Sequence, residues 1–309
     1  MKKVLVVYYS QSGQLLDIAK NITNDLQKDE EVSLSFYEIK METDFPFPWN
    51  RKQFYNAFPE TFLQTPAPLK DLDNPLLKQS YDLVILAYQV WYLSPAIPIN
   101  SFLKNEVAKP LLKGTPVITV IGCRNMWLMA QEKVKKLLIH CDARLVGNIA
   151  LVDRHINHIS VITIIDWMFA GRKRRFLGIF PKPGVSEKDI RESTKFGAPV
   201  LKALKKGDFE GLQEKLVAQG AAVIKPFLIV MDSRANLIFS KWSALIAKKG
   251  PPNSKERQPW VKGFNVYLVF AIWVIAPIVF LLFLLVYIPA LGLIKKNIEY
   301  YQSVNLKSR

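Results

Sequence analysis

Cysteine and histidine are scarce in this chain, which has two cysteines and three histidines among its 309 residues. Cys123 and Cys141 are too few for a disulfide framework or a thiolate zinc site, so we expect a reducing compartment and no metal centre. The glycine-rich patterns G-x-G-x-x-G and G-x-x-x-x-G-K-[ST] are also absent. These absences argue against a dinucleotide fingerprint and a P-loop.

Acidic residues are sparse in the second half of the chain. Residues 1–150 hold 17 Lys+Arg and 15 Asp+Glu, whereas residues 151–309 hold 25 and 11. The basic residues border apolar runs, as at 172–175 after 162–170, and this pattern favours an anionic lipid surface over nucleic acid. The apolar run 4–9 is too short for a signal-peptide core, so we expect the N-terminus to stay in the cytosol.

Five short runs rich in β-branched and aromatic residues predict β-strands, at 4–9, 33–39, 81–88, 116–121 and 143–151. Helical patterns follow several of them. Alternation of this kind predicts an α/β fold with a doubly wound, five-stranded parallel sheet over residues 1–154. A proline-rich, aromatic stretch at 43–80 interrupts the pattern, and it either covers a site or is a packed structural insertion.

The rest of the chain predicts a helical C-terminal extension. Residues 155–249 are basic and are expected to associate with a membrane, although the part from 221 to 249 fits a helix packed on the domain equally well. A linker at 250–263 leads to 264–294, which carries no charge in 31 residues. This segment is long enough to cross a bilayer or to re-enter it, and a polar tail follows at 295–309. From the basic residues before it, we expect the domain on the cytoplasmic face of the inner membrane.

Three segments are expected at the carboxyl edge of the sheet, where open α/β sheets bind their ligands. The first comprises Ser10, Gln11, Ser12, Gly13, Gln14 and Leu15. Its hydroxyls and backbone N–H groups open a helix, which suits a phosphate held without metal, as in flavin mononucleotide (FMN). The alternative is that this turn only caps the helix.

The other two segments follow the third and fourth strands. The second contains Gln89, Val90, Trp91 and Tyr92, and the third contains Gly122, Cys123, Arg124 and Asn125. The aromatic rings offer faces for a flavin ring unless they fill core. Arg124 would favour an anionic reduced flavin, or it forms a solvated salt bridge.

These segments resemble flavodoxin-like NAD(P)H and quinone oxidoreductases, in the turn Tyr9–Leu15, the stretch Val90–Phe102 and the third segment. In such families the three loops hold the phosphate, ring and ring edge of FMN. Gln89 departs from the Pro or Gly of many relatives. A narrower resemblance, to the dialkylresorcinol-forming family (often labelled dialkylresorcinol condensing enzymes), rests on Phe47-Pro48-Trp49, Phe58-Pro59-Glu60-Thr61, Val152-Asp153-Arg154-His155 and the basic C-terminal half.

The narrower resemblance implies flavin-dependent aromatisation of a 2,5-dialkyl-cyclohexane-1,3-dione, beside a ketosynthase and an acyl carrier protein. Condensation chemistry is not indicated, because nothing orders Cys123 and a histidine as nucleophile and base. Tyr92 and His155 are candidate proton acceptors, and a structural hydrogen-bonding role is the alternative for His155. A hydrophobic substrate would partition into membrane lipid. The alternative functions are a membrane-bound NAD(P)H:quinone or flavin reductase and a non-catalytic electron carrier.

Overall fold

The computed structural model describes residues 1–306. Within them, the strands are β1 (Lys2–Tyr8), β2 (Val32–Glu38), β3 (Lys40–Met41), β4 (Leu69–Lys70), β5 (Leu83–Trp91), β6 (Ser94–Pro95), β7 (Pro116–Cys123) and β8 (Arg144–Val152). The main sheet has the order β2-β1-β5-β7-β8, in which all neighbouring strands are parallel, and the short β6 pairs antiparallel with the end of β5. In order of appearance these strands run 2-1-3-4-5, which is the flavodoxin-like order. The predicted fold class is therefore confirmed.

The central strands are buried on both faces because helices cover each side of the sheet. Val4 to Val7 in β1 and Leu83 to Tyr88 in β5 are fully buried. Continuous apolar runs of this kind are typical of parallel strands between two helical layers. The short strands β3 and β4 form a separate antiparallel pair within the 43–80 region and its flank.

The α-helices of the described residues are α1 (Gln14–Ile22), α2 (Asn24–Lys28), α3 (Arg51–Asn56), α4 (Phe58–Leu63), α5 (Ile97–Lys104), α6 (Ala108–Leu112), α7 (Leu128–His140), α8 (Asn157–Ala170), α9 (Glu187–Glu192), α10 (Gly197–Lys206), α11 (Leu212–Ala218), α12 (Pro226–Ala247), α13 (Gln258–Phe270), α14 (Ala276–Tyr287) and α15 (Leu291–Gln302). Short 3₁₀ turns lie at Pro75–Lys78, Phe176–Gly178 and Ser193–Phe196, and a π-helical segment, Ala271–Ile275, joins α13 to α14.

Two helical layers enclose the sheet. Apolar residues of α5, α6 and α7 pack on one face. Those of α1 and α2 pack on the other, together with Val185, Phe196, Leu204 and Leu216 from α9–α11 and their flanks. Part of the segment 155–249 thus shares a core with the sheet. Its predicted membrane association remains a prediction, as does the domain boundary at residue 154.

A third apolar cluster joins the C-terminal helices to the 43–80 region. Phe58 and Phe62 of α4 pack against Phe239 of α12 and Phe264 of α13. The Phe58 and Phe264 rings are stacked with centroids 3.6 Å apart. The 43–80 region therefore docks the C-terminal helices onto the sheet domain.

One helix of the described residues, Gln258–Tyr287, is long and apolar enough to cross a membrane. It runs antiparallel to α12, because Phe264 near its start contacts Phe239 whereas Phe280 near its end contacts Phe227. After Tyr287 the chain turns, and α15 returns to α7. There Ile298 and Tyr301 pack on the sheet core.

Candidate functional site

The first predicted segment forms a turn at the end of β1. Gly13 adopts a positive φ of 83° and caps α1, while the Ser10 hydroxyl accepts a hydrogen bond from the Leu16 N–H at 3.2 Å. The positive φ suits glycine because a β-carbon would be strained there. The first N–H groups of α1 therefore face a polar turn at the positive end of the helix dipole. This is a donor set that fits a phosphate.

Two glutamines of this turn bind neighbouring segments that the sequence did not connect to it. The Gln11 amide donates to the Pro46 carbonyl at 2.9 Å and accepts from the Trp49 indole at 3.1 Å. Gln14 exchanges two hydrogen bonds with the Val185 backbone, each 3.0 Å long. The turn is thus held on one side by the 43–80 region and on the other by the approach to α9.

The second predicted segment is a strand and a hairpin rather than a loop. β5 continues to Trp91, three residues beyond the predicted end of its strand at Tyr88, and then pairs with β6. Tyr92 and Leu93 form the two-residue turn with φ of 46° and 60°. Two positive φ values match the tight turn that hairpins prefer, but they strain residues other than glycine. Sequence reasoning missed the hairpin because no Asn-Gly or Gly-Gly pair marks the turn.

An aromatic cluster surrounds Trp91. The Trp91 ring lies 5.0 Å from Phe45, 5.2 Å from Trp49 and 6.2 Å from Tyr9, in edge-to-face contacts. Trp91 remains partly exposed and lines a large cavity. Both earlier interpretations therefore apply to it, since it packs against aromatic neighbours and faces the cavity.

The third predicted segment ends β7 and begins the approach to α7. At Gly122 a β-carbon would lie only 3.1 Å from the Leu15 side chain and 3.3 Å from Ile18, so the first and third segments touch. Burial raises the pKa of the Cys123 thiol. A thiol held protonated is a poor nucleophile, which gives no support to condensation chemistry at Cys123.

Arg124 is held by a residue that the sequence did not single out. Its guanidinium donates to the Asn157 side chain at 2.7 Å, and the Asn125 amide donates to the same oxygen at 3.1 Å. Burial lowers the pKa of Arg124 to about 10, although the negative charge of the nearby Asp153 acts to raise it. The side chain therefore stays charged at neutral pH. Arg124 therefore supplies a fixed positive charge rather than a solvated salt bridge.

All three segments line one cavity of about 1250 Å³. Most of its remaining lining residues are apolar side chains of α8, α12, α13 and α14, together with Phe47, Trp49 and Phe54. No Asp or Glu of the described residues lines it, whereas Arg124, Lys225 and Arg234 do. Ligand pockets usually measure about 300–1,000 Å³, so this cavity has room for more than one small molecule.

Among the described residues, three buried polar atoms of cavity-lining side chains have no hydrogen-bond partner. The Gln89 amide nitrogen and the Asn125 amide oxygen lie on the sheet-edge segments, and the Asn265 amide oxygen lies on α13. Of the two at the sheet edge, the Gln89 nitrogen is a donor and the Asn125 oxygen is an acceptor. Unpaired buried polar atoms are costly and call for a ligand or water. The edge of a flavin ring carries carbonyl oxygens and an N–H, so these residues fit such a group.

The structure places the two candidate proton acceptors differently. The Tyr92 hydroxyl is already engaged in a hydrogen bond, because it donates to the Phe54 carbonyl at 2.8 Å. Burial also raises the pKa of Tyr92 well above the usual value. His155 is exposed at the cavity, and its backbone N–H donates to Asp153 at 2.9 Å. The geometry therefore disfavours Tyr92, and the role of His155 stays a prediction.

No protein-family model matches the chain, and no curated protein matches it. Solved structures with a similar fold include a putative flavoprotein from Bacteroides eggerthii (18% identity, TM-score 0.39, 55% of this chain and 99% of that one). Others are flavodoxin 1 from Bacillus cereus (13%, 0.37, 65% and 97%) and a flavoprotein in complex with FMN from Lactobacillus acidophilus (18%, 0.35, 48% and 92%). The fold assignment itself rests on the strand order of this chain.

Proposed function

We propose that this chain is an FMN-dependent oxidoreductase that acts on a hydrophobic substrate at a membrane. One observation carries the proposal: the three sheet-edge segments and the apolar faces of α8 and α12–α14 line the same cavity. The polar end fits the phosphate and ring of FMN, and the apolar end fits alkyl chains. A bound FMN would supply the acceptor for a hydride.

The substrate that we propose is a 2,5-dialkyl-cyclohexane-1,3-dione, converted to a dialkylresorcinol. One ring hydrogen leaves as a proton and another as a hydride, and enolisation of both carbonyls then gives the aromatic diol. Such a dione is acidic and readily forms an enolate. Arg124, Lys225 and Arg234, with no carboxylate among the lining residues described, suit an anionic ring, and the apolar walls suit its chains. A ketosynthase and an acyl carrier protein would supply the dione.

The roles of the residues follow from their positions. The turn from Ser10 to Leu15 would hold the phosphate, Gln89 and Asn125 would meet the ring edge, and Arg124 would stabilise negative charge on the ring or the enolate. His155 is the remaining candidate for the proton. The helix Gln258–Tyr287 would anchor the chain to the membrane, with the domain on the cytoplasmic side.

A second function, an NAD(P)H:quinone reductase, has one observation in its favour. A separate cavity of about 540 Å³ adjoins the phosphate turn at Ser12 and Gln14, and Lys20, Lys173 and Arg191 are among its lining residues. These cations would suit the phosphates of a nicotinamide nucleotide. Asp17 and Glu187 also line it and would oppose such binding.

An activity assay on the purified protein distinguishes the two functions. We expect yellow protein that converts a 2,5-dialkyl-cyclohexane-1,3-dione to the resorcinol without added NAD(P)H. A 2,2,5-trisubstituted dione is the matched control, because its quaternary carbon cannot become aromatic. Colourless protein that takes up no added FMN would contradict both functions. Flavin protein that ignores the dione but oxidises NAD(P)H with a quinone would favour the reductase.

A further inference from the structure

The apolar helix Gln258–Tyr287 is attached to the globular domain at its first residues. The Arg257 guanidinium, only 1% exposed, donates to both carboxylate oxygens of Glu60 at 2.8 and 3.2 Å. Two turns later Phe264 is fully buried between Phe58, Phe239 and Trp242. A bidentate ion pair and a stacked ring make this a fixed attachment rather than a flexible linker.

The middle of the same helix is attached as well. Pro277 lacks an N–H and therefore leaves a carbonyl one turn before it without its helical partner. The π-helical segment lies there, and the His158 Nε2 of α8 donates to the Ile272 carbonyl at 3.2 Å. The His158 ring also lies 4.9 Å from the Trp273 ring.

The chain that leaves the helix returns to the same domain. Tyr300 donates to Glu132 of α7, Gln302 donates to the Ala222 carbonyl at 3.0 Å, and the Asn305 carbonyl accepts from Lys135 at 2.7 Å. A helix rises about 1.5 Å per residue, so the seven residues of α15 that precede Ile298 span about 10 Å. A hydrocarbon core is about 30 Å thick, so this return is too short to come back across it.

The outer face of the helix is apolar and framed by cations. Its most exposed large hydrophobic side chains are Val266 and Leu285, at 71% and 77% exposure, and Ile288, directly after its end, is 76% exposed. The exposed lysines at its two ends and on the end of α12 are Lys241, Lys248, Lys249, Lys255, Lys262, Lys295 and Lys296. An apolar band bordered by lysines is complementary to a leaflet that contains anionic lipids.

We infer that this helix lies in one leaflet of a phospholipid bilayer and does not cross it, so that the tail and the domain share one side. The inference rests on the proposed membrane association but not on flavin chemistry. The inner face of the helix lines the cavity, from Asn265 to Tyr287. The cavity thus opens where lipid chains lie, and that leaflet supplies the hydrophobic substrate.

The test uses the full chain with a protease site added after Arg309, in sealed membrane vesicles whose cytoplasmic face is outside. We expect the tail to be cleaved without detergent, at the rate at which the domain is digested. If the protein sediments with the vesicles but its tail is cleaved only after detergent is added, the one-leaflet topology is wrong and the membrane association still holds. Chain that never sediments would overturn the membrane association too.

A pair of variants locates the surface. The double variant Leu285→Glu/Ile288→Glu should lower the fraction that sediments with anionic vesicles by more than tenfold, with no change in bound FMN. Ile139→Glu, on α7 and 57% exposed in the native chain, is the control and should sediment as the parent does. Equal sedimentation of all three would contradict the assignment of this face to lipid.

Discussion

The two ends of the cavity are built in opposite ways. At the sheet edge, polar side chains are fixed by specific partners, as in the pairs Gln11 with Trp49 and Arg124 with Asn157. Along α12–α14 the walls are apolar and large hydrophobic side chains remain exposed on the outside. A polar, preorganised end gives orientation, whereas an apolar end gives affinity in proportion to the area it buries. The contrast indicates a ligand with a polar ring and greasy chains.

Asp232 of α12 hydrogen-bonds to α7 and so links the apolar wall to the sheet domain. We expect its titration to have the largest effect on the free energy of unfolding. This fully buried carboxylate of α12 accepts from the Leu128 and Met129 N–H groups of α7 at 2.8 and 3.3 Å. Burial outweighs these bonds and raises its pKa from 3.8 to about 7. Because the folded pKa is raised, its stabilisation is complete below pH 4 and is lost as the pH rises through 7.

The unfolding free energy should therefore fall by up to about 1.4 kcal/mol per pH unit over that window. Asp232→Asn should flatten the profile, as measured by denaturant titration at each pH. Asp208→Asn, at an exposed carboxylate, is the control and should keep the slope. A wild-type chain with no slope between pH 4 and 7 would contradict the account.

The second-largest effect is expected on the ion pair between Arg257 and Glu60, which attaches the apolar helix to the domain. Arg257→Met leaves Glu60 without its partner, and loss of one member of a buried ion pair costs about 3 kcal/mol or more. Part of that cost is relieved here because Glu60 is 20% exposed. We expect faster proteolysis at residues 248–262, with the sheet unaffected. Lys255→Met, at an exposed lysine within the same stretch, should not change the rate.

The phosphate turn can be probed with two glycines of like conformation. Gly13 and Gly114 have φ of 83° and 70°, and neither has an atom within 4 Å of an added β-carbon. The strain of an alanine should be about 1 kcal/mol or more at each. Gly13→Ala should weaken FMN binding about tenfold in a fluorescence titration, whereas Gly114→Ala should lower stability alone. Equal FMN affinity in both variants would remove the turn from the site.

The smallest change in stability and FMN affinity is expected at Gln89, which we propose to contact the edge of the flavin ring. Gln89→Leu removes an unpaired buried donor, so the flavin-free chain should gain up to about 1 kcal/mol of stability. FMN affinity should fall several-fold at the same time. Asn100 also has unpaired buried amide atoms, but it does not line the cavity. Asn100→Leu should therefore gain stability and leave FMN affinity unchanged, and a matching loss of affinity there would argue against a ring contact by Gln89.

The sequence was most informative about the sheet. The five strands and three edge segments are visible as local patterns, because buried parallel strands are continuous apolar runs. The walls of the cavity could not be predicted from the sequence, because they depend on contacts between residues far apart in the chain. Examples are Gln14 with Val185 and Leu128 with Asp232. The uncharged run 264–294 predicted membrane contact equally well whether it projects from the domain or lies along it. The packing of Phe264, the contact of His158 with the Ile272 carbonyl and the return of α15 distinguish these arrangements.

The central claim is that one cavity joins a flavin site to an apolar wall, and a chain-length series tests it most directly. Anaerobic single-turnover reduction of FMN-loaded protein would be measured with diones of increasing, still water-soluble alkyl length. Each buried CH₂ contributes about 0.8 kcal/mol, so the half-saturating concentration should fall about fourfold per carbon. A half-saturating concentration that does not change with chain length, or flavin that is reduced only by NAD(P)H, would contradict the account.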